Sequence, residues 1–202
     1  MPDAVGLWEI DDRPDSDACA GVLTDAFARE PAASWICGES GAVRRHWFAA
    51  TLRTQTALPG ARRYTLAGPG EQPLGAAVLT PPATSPSPLA QARWAVGTLA
   101  HCGPGACART LRYLRAAEAQ TPEGAWTLEF LGVVPAARGL GAGRRLLDRL
   151  LADIPAADGV FLSTADPANV PLYRRFGFTV LRRVPLGPLG VVAMYRQPAA
   201  GG

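Results

Sequence analysis

Apolar positions recur along this chain in short blocks, some alternating every second residue and others at helical spacing near 3.6. Residues 5–10 are apolar-rich and predict a first strand. The polar turn Asp11-Asp-Arg-Pro-Asp-Ser-Asp17 supplies helix N-cap candidates, and Cys19, Val22, Leu23, Ala26 and Phe27 then share one helical face. Pro31 is expected to end that helix, with residues 30–40 as a connection carrying an exposed Trp35. A second helix is predicted over residues 42–56, its stripe made of Val43, Trp47, Ala50 and Thr54. Residues 64–67 and 74–80, separated by Gly68-Pro-Gly70, predict a hairpin. The run Pro81-Pro-Ala-Thr-Ser-Pro-Ser-Pro88 excludes regular helix and central strand, so it reads as a loop.

Helical spacing returns over residues 89–101 and 106–119, broken by Gly103-Pro-Gly105. A buried strand is predicted over residues 126–134 and a helix over 140–154, with Leu146, Leu147, Leu150, Leu151 and Ile154 as its buried stripe. Arg144–Asp148 and Arg149–Asp153 fall four residues apart on the wet side, each pair contributing a few tenths of a kcal/mol. Residues 160–164 form a short buried strand, and 169–176 a short helix stopped by Gly177. Residues 178–186 and 191–197 flank Gly187-Pro-Leu-Gly190 as a last hairpin. This order predicts an α/β fold: a mixed, mostly antiparallel central sheet flanked by helices, with a helical insertion before the central strand. The 202 residues suit a single domain over 1–202.

Composition changes this picture little. The chain is 48% apolar, enough for a sizeable core, and its net charge of +3 leaves no footprint for nucleic acid or an anionic membrane. All 20 of its Lys+Arg residues are Arg, a coding bias rather than a functional sign. Residues 1–30 hold eight acidic and two basic side chains, read as a solvated helix face. Cys19, Cys37, Cys102 and Cys107 make no C-x-x-C pair, so no metal site is expected. With no signal-peptide pattern and no membrane-length apolar run, a cytoplasmic protein with reduced thiols is expected.

The chemistry concentrates in Leu128-Glu-Phe-Leu-Gly-Val-Val-Pro-Ala-Ala-Arg-Gly-Leu-Gly-Ala-Gly-Arg-Arg-Leu-Leu-Asp148, a strand, a glycine turn and a helix start. Glycines there let backbone N–H groups approach a bulky anion, and the helix aims its positive end at the same place. The dinucleotide fingerprint G-x-G-x-x-G does not fit, because Gly139, Gly141 and Gly143 fall as G-x-G-x-G after Arg138. Asp158 lies 19 residues past Gly139 but in a polar turn, outside a parallel βαβ series.

Arg138-Gly-Leu-Gly-Ala-Gly143 resembles the Q/R-x-x-G-x-G/A signature of the GNAT superfamily of acyl-CoA-dependent N-acetyltransferases. Leu131-Gly-Val-Val-Pro135 is similar to the family's strand end, and Asn169-Val-Pro-Leu-Tyr-Arg-Arg-Phe-Gly-Phe178 to its N-x-x-x-x-Y-x-x-x-G-F segment. The specific match covers residues 126–178, and the C-terminal third and acidic first helix resemble puromycin N-acetyltransferase-like actinobacterial enzymes.

The resemblance implies acetyl-CoA as acyl donor and a primary amine of a small molecule as acceptor, with no nucleic-acid or membrane partner, in a monomer or homodimer. The amides of Gly139, Leu140, Gly141, Ala142, Gly143 and Arg144 would seat the CoA pyrophosphate, with Arg138 at its edge, and Asn169 would also bind the cofactor. The main chain of Val133 and Val134 would hold the pantetheine arm in a splayed gap before residues 160–164, and the amide of Val133 or a neighbour would serve as oxyanion donor. Gly132 fits either a bulge that opens this gap or a close packing contact. Tyr173 stands at the family's general-acid position. Glu129 is the carboxylate of the central strand and the candidate base; alternation gives it the face of Leu131 and Val133 unless a bulge intervenes. Relatives often carry Glu in the next strand and His before the central Trp, where this chain has Ser163 and Ala125. Glu30, Trp35 and His46 are candidates for the acceptor site, whereas Trp47 fits the helix stripe. Two other readings share the fold: an acetyltransferase for protein Lys or N-terminal amines, and a CoA-binding protein without catalysis.

Overall fold

The computed structural model describes residues 8–71 and 73–198; residues 5–7 of the first predicted strand lie outside them. Strand β1 (Glu9–Asp11) leads into α1 (Ser16–Ala26), then α2 (Pro31–Cys37) and α3 (Gly41–Gln55). The hairpin β2 (Arg62–Ala67) and β3 (Pro73–Thr80) precedes the long α4 (Pro88–Glu118). Next come β4 (Trp126–Val133), α5 (Ala142–Asp153), β5 (Val160–Thr164), α6 (Val170–Arg175) and the hairpin β6 (Thr179–Leu186) and β7 (Leu189–Arg196).

The seven strands form one sheet in the order β1-β2-β3-β4-β5-β7-β6. Only β4 and β5 run parallel, so the sheet is mixed and mostly antiparallel. One face buries Leu146, Leu147 and Leu150 of α5 against Leu66, Leu79, Leu128 and Leu162. The other receives α1 to α4 through Leu23, Ile36, Trp47, Phe48, Leu52 and Ala106. The two arginine–aspartate pairs of α5 form at 3.6 Å and 2.9 Å.

Two local expectations are corrected. Pro31 begins a helix rather than only ending one, because its fixed φ suits the first helical position and the Glu30 carboxylate caps Ala33 N–H at 2.7 Å. Trp35 therefore lies on a helix and is half-buried. The two stretches after the proline loop form as expected, running on as α4 and parted by a kink where Gly103 takes φ 81° ahead of Pro104. Trp47 Nε1 donates to Thr110 at 2.8 Å and Arg109 to the Ile36 carbonyl at 2.8 Å, tying α4 over α2 and α3.

Two irregularities of β4 position the site. Its pairing with β3 shifts between Val78↔Phe130 and Leu79↔Leu128, leaving Glu129 as the extra residue of a β-bulge. Its pairing with β5 covers Trp126↔Val160, Thr127↔Phe161 and Leu128↔Leu162 and then stops, although both strands continue. A gap thus opens between the rest of β4 and the end of β5. Gly132 is not the bulge: a Cβ there would meet Ala26 Cβ and Phe27 Cε2 at 2.8 Å and Leu23 Cδ2 at 2.9 Å. This is the close-packing alternative, with α1 pressed onto β4. Gly132→Ala is accordingly expected to destabilise by about 1–3 kcal/mol, a loss of several degrees in Tm readable by thermal unfolding.

Candidate active site

The gap between β4 and β5 joins two cavities. One, of about 750 Å³, is lined by the glycine turn, Arg29, Arg138, Arg144 and Asp166. The other, of about 1060 Å³, lies under α4 and residues 81–86 and is lined by Trp47, Gln55, Tyr113, Glu129, Phe130 and Ser163. Phe27, Glu30, Leu131, Asn169 and Tyr173 border both.

On the first side, Gly139 and Gly141 hold φ of 78° and 91°, conformations that side chains rarely adopt, with open space where a Cβ would stand. Gly141 precedes α5 without a side-chain cap, so the first N–H groups of the helix, at Ala142, Gly143 and Arg144, are left without helical acceptors at the edge of this cavity. Leu140 differs from its neighbours: its N–H bends back to the Ala137 carbonyl at 3.4 Å, and α5 starts two residues later than predicted. Arg138 donates to the Ala26 carbonyl at 2.6 Å and to the Val133 carbonyl at 3.4 Å, pinning the end of α1 to the turn.

The strand register tells which backbone groups face the gap. Val134 N–H donates to the Leu74 carbonyl at 2.9 Å, and its own carbonyl accepts from Ala137 N–H at 3.0 Å. Val134 is therefore withdrawn as a main-chain partner, since both its groups are spent. Alternation along an antiparallel pair turns the N–H and C=O of Leu131 and Val133 away from β3 and into the gap. Nothing in the sequence pattern singles out Leu131.

The bulge decides the orientation of Glu129. Glu129 and Phe130 follow one another on the same face, toward α3 and α4, while Leu131 and Val133 face α5. The Glu129 carboxylate accepts from Thr80 Oγ1 at 2.7 Å and from Gln55 Nε2 at 2.8 Å. Neither partner is legible in the sequence, since one comes from α3 and the other from the neighbouring strand.

Tyr173 is 7% exposed, packs edge-on against Phe178 at 5.8 Å, and borders both cavities. Burial pushes its phenol pKa well up, and the nearby Tyr113 and Glu30 push the same way. Tyr113 reaches from α4 to within 3.2 Å of Ser163 Oγ, its own phenol raised to about 12 mainly by burial. Burial raises Glu30 as well, against the N–H groups of Ala33 and Ala32 that favour its anion. Asn169 donates weakly to Thr164 Oγ1 at 3.4 Å.

Two acceptor-site candidates lie elsewhere. His46 is exposed on α3, stacked on His101 with ring centroids 4.6 Å apart, and lines neither cavity. Trp35 packs beside Gly187 with Arg112 over its ring at 5.6 Å, and also lines neither. Helical spacing explains both: α2 and α3 turn Ile36 and Trp47 toward the cavity instead. No group of three or more metal-ligating side chains occurs among the described residues, and no described helix is long and apolar enough to cross a membrane.

Residues 101–180, from the kink of α4 to the start of β6, match the family model of the acetyltransferase (GNAT) domain. The fold is that of a GNAT acetyltransferase. A Corynebacterium glutamicum protein described as histone acetyltransferase HPA2 and related acetyltransferase is similar over 96% of this chain and 98% of its own, with 21% identity and a TM-score of 0.72. The arylalkylamine N-acetyltransferase 2 of Aedes aegypti is similar over 94% and 98%, with 11% identity and a TM-score of 0.62. The ribosomal-protein-S18-alanine N-acetyltransferase of Escherichia coli is similar over 97% and 97%, with 16% identity and a TM-score of 0.58. These likenesses extend the GNAT architecture over α1 to α3, outside the family match. Together with the domain match over residues 101–180, they support a transferase enzyme.

Proposed function

We propose that this protein is an acetyl-CoA-dependent N-acetyltransferase that acetylates a primary amine of a small molecule by direct attack. The observation that carries the reading is the β4–β5 gap, which connects an anion seat to a covered cavity past a buried tyrosine. Acetyl-CoA supplies a thioester whose thiolate is the leaving group. The N–H groups of residues 141–144 and the cations of Arg138 and Arg144 suit its pyrophosphate. Leu131 offers its N–H and C=O and Val133 its N–H to the pantetheine arm, and an N–H in this stretch suits the acyl oxygen on which charge develops. Glu129 takes the proton of the ammonium, directly or through water, and Tyr173 gives one to the departing sulfur.

The cover of α4 and residues 81–86 favours a small acceptor over a protein surface. It agrees with the resemblance to puromycin N-acetyltransferase-like enzymes, whose class of acceptor is an antibiotic or natural-product amine. Purified protein mixed with acetyl-CoA and a panel of small amines should release CoA thiol, while lysine-bearing peptides and N-terminal peptides should not raise the rate. Thiol release with peptides alone would transfer the assignment to protein acetylation.

A further inference from the structure

The large cavity constrains the acceptor more narrowly. Leu128↔Leu162 is the last pair joining β4 to β5, so Glu129 and Ser163 are the first positions beyond it, facing each other across the mouth of the gap. In the parallel register both side chains point to the α4 face, as those of Thr127 and Phe161 do. The Tyr113 hydroxyl lies 3.2 Å from Ser163 Oγ, so a pair of hydroxyls stands opposite the Glu129 carboxylate. Thr80 and Gln55 fix that carboxylate in place.

The charges of the wall decide what else fits. Three carboxylates of the described residues line it: Glu129, Glu30, which is engaged in capping α2, and the exposed Glu123. Arg115, an exposed residue, is the one basic side chain among the described residues lining this cavity, so a buried carboxylate or phosphate of an acceptor would meet no cation. Much of the rest is apolar, including Phe27, Ile36, Trp47, Leu114 and Phe161, and about 1060 Å³ suits a drug-sized molecule.

We propose that the acceptor is a singly charged primary amine with an apolar body and no acidic group, its amino group seated at the sheet split between Glu129 and the Tyr113–Ser163 hydroxyl pair. This rests on the acetyltransferase reading above. Tyr113 is then a positioning residue for the acceptor, delivered by the inserted helix.

The test compares phenethylamine and 3,3-diphenylpropylamine with phenylalanine and spermidine as acceptors, reading CoA thiol release, with acetyl-CoA binding measured separately by calorimetry. The two monoamines should be turned over with kcat/KM at least about tenfold above phenylalanine and spermidine. Tyr113→Phe should raise KM for the monoamines about tenfold while kcat and acetyl-CoA affinity stay within about twofold, and Ser163→Ala should shift KM in the same direction. Equal or better use of phenylalanine or spermidine overturns the proposal. So does a Tyr113→Phe variant that binds acetyl-CoA normally and keeps the wild-type KM for the monoamines. Failure to bind acetyl-CoA at all, with no thiol release from any amine, instead removes the underlying acetyltransferase reading.

Discussion

Replacing Tyr173 by Phe is expected to lower kcat by about 10²–10⁴-fold while acetyl-CoA affinity changes by less than about twofold. The ring is packed against Phe178 at 5.8 Å and is 7% exposed, so Phe preserves the packing and removes only the hydroxyl. Tyr173 lines both cavities, and in the proposed reaction the thiolate is protonated between them. Burial first, and then Tyr113 and Glu30, hold its pKa above the ordinary phenol value. The group therefore keeps its proton throughout neutral pH and is a donor there. Its own titration adds no alkaline limb to the rate below about pH 10. A steady-state comparison with a direct binding measurement separates the outcomes. Equal losses in turnover and affinity would make Tyr173 part of the cofactor wall instead of the proton donor.

The second large effect is expected at Glu129. Glu129→Gln should lower kcat by about 10²-fold near neutral pH and leave acetyl-CoA binding unchanged. The substitution keeps the shape of the side chain and an oxygen to accept from Thr80 or Gln55, so stability should move little. If the carboxylate receives the ammonium proton, raising the pH should recover part of the lost rate, because more of the amine arrives already neutral. A pH–rate profile of both enzymes with one amine reads this directly. An unchanged kcat and an unchanged profile would remove Glu129 from the chemistry and leave it a structural partner of Thr80 and Gln55.

Much of this site is legible in the amino-acid sequence. The glycine turn can be read there because its demands are local: positive φ at Gly139 and Gly141, and an uncapped helix start behind them. The amphipathic stripe of α5 and the Asn169-to-Phe178 block are likewise patterns within one segment. What stays hidden depends on pairing between segments. Alternation alone sends Glu129 to the face of Leu131 and Val133, and only the slipped register against β3 turns it toward α3 and α4. The pairing with Leu74 and the turn at Ala137 occupy both backbone groups of Val134, while the N–H and C=O of Leu131 and the N–H of Val133 face the gap. Tyr113 cannot be separated by pattern from the ordinary residues of an amphipathic helix, because its meaning comes from Ser163, fifty residues away. Trp35 and His46 mislead for the opposite reason: polar or aromatic character marks them, but helix phase turns both away from the cavity.

In the proposed enzyme the split between β4 and β5 carries the thioester from the glycine turn to the acceptor cavity. A crystal structure of the protein with CoA tests it most directly. The pyrophosphate should lie on the N–H groups of residues 141–144, the pantetheine arm alongside Leu131 and Val133, and the sulfur beside Tyr173 and Glu129. A CoA whose sulfur points into solvent, or whose arm leaves the β4–β5 gap empty, would contradict it.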